Sequence, residues 1–170
     1  MAGEKFLYNN AGVITEKAAT QTSEGIGDAN KITALDSTGK FDSSLMPVGV
    51  SVETDQIVCT EDLIAGNFIN IYSSSGVKCR KADATTIGKE ANGFVLAGFT
   101  NGQTATIYRI SQSNTQLTGM TPGVKQYLST TAGLRTETIP SASGNVVQLL
   151  GISKSSSELI FVLSQPIVLA

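Results

Sequence analysis

The chain has 170 residues, 41% hydrophobic and only 15% charged, with 12 Lys and Arg against 14 Asp and Glu, and it contains no histidine or tryptophan. That length suits one domain, or a domain plus an arm, and is enough to bury a real core. Without histidine, His-based metal ligation, Ser-His-Asp and Cys-His catalysis and histidine pH switching within this chain are excluded, and a net charge of −2 lacks the basic excess of a nucleic-acid binder.

The 18 Ser and 19 Thr together outnumber all the charged residues. A surface made polar by hydroxyls suits strands better than helices, because Ser and Thr are mediocre helix formers and Thr is a good strand former. Residues 1–50 read as an extended N-terminal arm. Small apolar islands (Phe6, Leu7 and Tyr8; Val13 and Ile14; Ile32; Leu35; Phe41; Leu45 and Met46) alternate with turn-forming pieces at 9–12, 25–28 and 36–39. Asn and Gly accept positive φ, so the first piece is expected to close a short hairpin across 6–16. Islands this small cannot make a core of their own and are expected to pack on another surface, either the main domain or another chain. Pro47 and Gly49 mark the boundary. The first eight residues carry Glu4 and Lys5 and no apolar stretch, which does not fit a secretory signal. No apolar run approaches the ~20 residues of a membrane span. The expected place of synthesis is the cytoplasm.

From residue 51 onward short strands are expected at regular spacing: 56–60, 68–72, 78–81, 93–99, 104–110, 126–129, 134–138, 146–152 and 159–163. Turn clusters of Gly, Ser, Asn and Pro separate them, which argues for a mainly β fold, a small antiparallel barrel or sandwich. One helical turn is expected within 82–90. Cys59 and Cys79 lack CxxC spacing and read as free, buried thiols, since two cysteines without histidine make a poor zinc site and a cytoplasmic origin disfavours a disulfide.

The region also carries an internal repeat. Residues 66–78 align with 123–135, Gly66 and Gly76 falling at one offset from Gly123 and Gly133. Residues 95–99 align with 148–152, which pairs Gly98 with Gly151, and 106–108 align with 159–161. The expected units are about 56–110 and 117–163, two half-barrels that close one core, with Gly98 and Gly151 inside strands.

No catalytic or nucleotide-binding pattern in the sequence is complete. Gly39-Lys40 and Gly88-Lys89 lie outside any P-loop pattern, and Gly25-Ile26-Gly27 lacks the third glycine of a dinucleotide fingerprint. Asp28, Asp36 and Asp42 have no EF-hand spacing, although carboxylates distant in sequence can still meet around calcium. Lys78, Arg80 and Lys81 form the one basic cluster and read as a solvated strand face, with contact to an acidic partner as the second reading. The expectation is a non-enzyme with no catalytic, cofactor or metal residues.

The segment 31–47, with Ala34-Leu35-Asp36, Gly39-Lys40-Phe41-Asp42 and Leu45-Met46-Pro47, resembles a string that precedes a β domain in tailed-bacteriophage virion proteins. Residues 117–133 and 144–152 are similar to stretches of phage structural β domains. The duplicated domain is most similar to capsid cement, or head decoration, proteins. That resemblance implies a virion protein on the outside of the capsid, a homotrimer that clamps neighbouring major capsid proteins; from charge and hydropathy, neither nucleic acid nor membrane is an expected partner. Phe6, Leu7, Tyr8, Phe41, Leu45, Met46 and Pro47 are the expected arm anchors, with packing on the chain's own β domain as the other use of the same residues. The C-terminal 166–170 is a further candidate, able to add a strand to a neighbour. Head-fibre, tail-fibre and baseplate proteins share such segments, so a receptor- or glycan-binding β domain on an anchoring arm is the alternative.

Overall fold

Thr-rich and alternating segments fold into short antiparallel strands in the computed structural model, which describes residues 5–46 and 53–170. The chain is mainly β and divides into two units, Met1–Ser51 and Val52–Ala170.

The first unit opens with a hairpin of β1 (Lys5–Asn10) and β2 (Val13–Ala18), in register from Lys5 opposite Ala18 to Asn10 opposite Val13. Ala11 and Gly12 turn the chain with φ of 52° and 93°, the pair of positive values that a two-residue turn of matching twist requires. The Asn9 carboxamide accepts the Gly12 N–H at 2.8 Å and fixes that turn. Beyond Ala18 the described residues of this unit have one isolated parallel bridge, Thr20 to Thr33, and two single 3-10 turns, Ile26–Asp28 and Ser43–Leu45.

The second unit is built from twelve strands. Five of them, β3 (Thr54–Val58), β4 (Phe68–Ser73), β5 (Val77–Lys81), β6 (Gly93–Phe94) and β7 (Thr104–Tyr108), form one sheet in the order β3-β7-β6-β4-β5. Among the described residues its two edges come together at a parallel bridge between Cys59 and Cys79. The other strands are β8 (Ser113–Asn114), β9 (Lys125–Leu128), β10 (Arg135–Thr136), β11 (Val146–Val147), β12 (Leu149–Ile152), β13 (Leu159–Ile160) and β14 (Ile167–Val168). They pair as β10-β9-β12, β13-β8 and β11-β14. The bridge from Ser153 to Leu159 and the bond from Val162 N–H to Leu150 C=O lay the β13 segment beside β12.

Both faces of the five-stranded sheet are buried, against two different cores. Successive residues point to opposite faces of a strand, so Phe68, Phe94 and Tyr108 face one core while Ile69, Val95 and Ile107 face the other. The second of these, with Ile57, Cys59, Leu63, Cys79 and Ala105, lies inside the curl of the sheet itself. The first is shared with the later strands, which contribute Leu128, Leu150, Leu159 and Phe161. Phe161 meets Phe94 edge-on and Phe68 at a tilt, each at 6.0 Å between ring centroids, offset arrangements that aromatic quadrupoles favour. Backbone hydrogen bonds also join the two sets of strands, from Phe68 N–H to Gly133 C=O at 2.9 Å and from Gly133 N–H to Ala82 C=O at 2.7 Å.

Several expectations require correction. Among the described residues no sheet closes into a barrel, since the later strands are two to four residues long and loops interrupt their ladders. Residues 82–90 form turns, not a helix. Asp83 accepts the Thr85 N–H at 3.0 Å and Gly88 takes φ 90°, so the backbone turns back instead of winding on. Gly98 is not in a strand; the strand glycine of the first half is Gly93, because β6 ends at Phe94. Within the C-terminal candidate segment, β14 pairs with β11, and its Ile167 and Val168 side chains are exposed.

Candidate functional site

The first unit concentrates exposed apolar side chains. Among its described residues none is buried, so this unit lacks the core burial that orders the second. A lone two-stranded hairpin is at best marginally stable in water. Leu7 is 77% exposed and Ile26 94%, with Val13, Ile14, Ile32, Leu35, Phe41 and Met46 also open.

Period 2 divides the hairpin's anchors between two faces. Directly opposed residues share a face, so Leu7, Ile14 and Ala18 lie on one side with the Lys5–Glu16 ion pair at 3.1 Å. Phe6, Tyr8 and Val13 lie on the other, where the Lys17 ammonium sits 4.8 Å from the Tyr8 ring centroid. Phe6, Leu7 and Tyr8 therefore do not form one contact patch. Phe6 is half-buried, and Leu7 and Tyr8 are exposed. Phe41 and Met46 are exposed and Leu45 half-buried around the second 3-10 turn, while Pro47 lies outside the described residues.

Three carboxylates shape the rest of the arm, each within its own turn. Asp28 accepts the Lys31 ammonium and the Glu24 N–H. Asp36 accepts the N–H groups of Lys40 and Thr38 at 3.0 and 2.8 Å and the Thr38 hydroxyl at 2.7 Å. Asp42 caps the turn at Ser43–Leu45 by accepting the Ser44 N–H at 2.9 Å. Bonds to the ionised form hold it in place, so all three sit below the ordinary aspartate value. For Asp28 the Lys31 ammonium leads, for Asp36 the Lys40 N–H, and for Asp42 the bonds from Ser44. The three are not brought together as a cation site. Among the described residues no three Cys, Asp or Glu cluster to hold a metal.

The second unit offers a groove of about 580 Å³ lined by Ile64, Leu117, Leu134, Arg135 and Glu137 among others. Its charged groups are engaged internally. Arg135 donates to Gln126 Oε1 at 3.1 Å and to the Thr118 carbonyl, and Glu137 accepts the Thr121 N–H at 2.7 Å. These bonds hold Glu137 below its ordinary value, the one from Thr121 first. The basic cluster also disperses. Arg80 lies over the Tyr72 ring at 4.3 Å and donates to Asn70 and Gly88, and Lys81 pairs with Glu61 at 3.7 Å. No helix among the described residues is long and apolar enough to cross a membrane.

Compared with known proteins, the chain matches no protein-family model and none of the curated proteins.

Proposed function

We propose that the protein is a non-enzymatic structural component of a phage virion that binds the outside of the capsid and stabilises it, its N-terminal arm gripping neighbouring major capsid proteins. The observation that carries this reading is the contrast between the units: the second buries two cores, whereas the first displays apolar side chains and has no buried residue among those described. Such a segment gains its order, and its free energy, from a surface it is laid against. Apolar groups on both hairpin faces favour insertion between two surfaces over adhesion to one. The resemblance of 31–47, 117–133 and 144–152 to phage virion segments supplies the class of partner, and a homotrimer on the capsid surface is part of the same reading.

The second unit is proposed to be an internal duplication. The order β3-β7-β6-β4-β5 has a counterpart in β8-β13 alongside β12-β9-β10. Gly93 packs against Ile107 and Tyr108, and Gly151 against Leu159 and Ile160. On this reading the glycine equivalent to Gly151 is Gly93, and the second copy starts at β8.

The deciding experiment is co-sedimentation of the full chain with expanded phage heads, followed by heat or chelator challenge of the decorated heads. Binding with increased survival is expected; no binding and unchanged survival would overturn the reading. The groove of the second unit favours a fibre component with a receptor- or glycan-binding β domain as the second reading. Binding of the protein to host cells in place of heads would select it.

A further inference from the structure

Cys59 and Cys79 are bridge partners where the edges of the five-stranded sheet meet. Cys59 follows β3, Cys79 lies in β5, and among the described residues the parallel bridge between them is where these edges pair. The Thr60 N–H donates to the Cys79 carbonyl at 2.9 Å, and the Thr60 hydroxyl donates to it at 3.2 Å. Both side chains enter the core inside the curl. Paired strands run about 4.8 Å apart, within the roughly 4.4–6.8 Å between α-carbons that a disulfide spans.

Each thiol has its own partner in the reduced state: Cys59 Sγ–H donates to the Thr100 carbonyl at 3.1 Å and Cys79 Sγ–H to the Ile57 carbonyl at 3.7 Å. Burial pushes the Cys79 thiol up to about 11. With both side chains essentially inaccessible, the closed seam protects the pair from oxidants, and reaction requires the bridge to open.

We infer that Cys59 and Cys79 are a latent disulfide site that covalently closes the seam of the sheet under oxidising conditions. In the exchange, one cysteine thiolate attacks a small-molecule disulfide, forming a mixed disulfide and expelling one thiolate. The second cysteine, as thiolate, attacks the protein sulfur of that mixed disulfide and expels the other. Two S–H bonds are lost and one Sγ–Sγ bond forms; the two electrons and two protons leave on the two small-molecule thiols. The crosslink ties β3 to β5 around the inner core and shortens the unfolded chain's reach. It is independent of the function proposed above.

The test treats the full chain with excess oxidised glutathione in mild urea, removes the urea, and alkylates the remaining thiols after denaturation. Intact mass and peptide mapping then read the product. The expected product lacks two hydrogens, resists alkylation, joins residues 59 and 79 in one peptide pair, and melts on the order of 5–10 °C higher until a reductant is added. Two alkylated thiols, persistent glutathione adducts without the crosslink, or a crosslink that leaves the melting temperature unchanged would each overturn the inference. The Cys59→Ser and Cys79→Ser variants, compared by circular dichroism with the parent, must lose the oxidant-dependent shift. A shift retained in either also overturns it. The mass measurement on the unmodified chain stands even if a variant folds poorly.

Discussion

Gln148 and Ala91 exchange two hydrogen bonds: the Ala91 N–H donates to Gln148 Oε1 at 2.7 Å and Gln148 Nε2 donates to the Ala91 carbonyl at 2.9 Å. Both residues are buried. The carboxamide thus pairs with a backbone unit as another strand would, and it joins the later strands to the loop before β6 at the edge of the shared core. Gln148→Ala leaves an N–H and a carbonyl without partners, so a loss of about 2–4 kcal/mol is expected. Urea unfolding followed by circular dichroism checks it, with a lower midpoint at unchanged slope as the expected outcome. Gln148→Glu keeps an acceptor but faces a carboxylate toward the Ala91 carbonyl, and should destabilise at least as much.

The strand glycines give a sharper test of register. A Cβ at Gly151 would stand 2.3 Å from the Ile160 carbonyl oxygen, at φ 146°, and one at Gly93 would stand 2.6 Å from both Ile107 Cγ2 and the Tyr108 carbonyl oxygen. At Gly98 the nearest atom is the Leu63 carbonyl oxygen at 3.5 Å, ordinary contact. Gly151→Ala and Gly93→Ala are therefore expected to cost at least about 2 kcal/mol each, and Gly98→Ala under about 1 kcal/mol. Thermal melts of the three single variants check the ranking, and a Gly98→Ala cost equal to the others would contradict it.

How far the sequence carries depends on whether the decisive contact is local. The Asn9–Gly12 turn and the β4–β5 hairpin are legible because the turn residues themselves demand the geometry. Gly93 is not, because its need for a missing side chain comes from β7, more than ten residues away, while Gly98 sits at a more regular spacing. Asp83 misleads because a side chain that accepts an N–H two residues on begins an Asx turn as readily as a helix. Gln148 shares a strand face with Val146 and Leu150 by period 2, but only the fold puts Ala91 opposite it. The division of Phe6, Leu7 and Tyr8 between two faces follows from period 2 alone once the segment is taken as a strand. Whether a partner covers those faces is a property of a second molecule, which one chain's residues do not encode.

The arm's turns should depend on pH through Asp36. Its carboxylate is held below the ordinary value of 3.8, chiefly by the Lys40 N–H. A depressed folded value means that the contribution is complete above the unfolded value and is lost as pH falls through the folded one. The Thr38 and Lys40 amides are therefore expected to be protected near neutral pH and to lose protection below about pH 3.8. Amide hydrogen exchange measured by NMR across that range checks this. Asp36→Asn should flatten the response at Thr38 and Lys40 while leaving the second unit's amides unchanged.

The hairpin's two faces separate a one-sided from a two-sided grip on the capsid. Leu7 and Ile14 project to one side, Phe6 and Tyr8 to the other. If the arm lies on a single surface, polar substitutions on one face weaken binding and those on the other are silent. If it is inserted between two surfaces, both sets weaken it. Burying one such side chain is worth about 1.5–3 kcal/mol, so Leu7→Ser and Tyr8→Ser are each expected to lower affinity for heads roughly tenfold or more. Co-sedimentation titration of each variant measures the loss. Leu7 and Tyr8 are exposed and belong to the first unit, so the second unit's melting transition is expected to stay at the parent's temperature, which separates lost binding from lost folding. Additive losses in the Leu7→Ser, Tyr8→Ser double variant would indicate two independent contact surfaces, and a silent face would leave a clamp that holds by one side only.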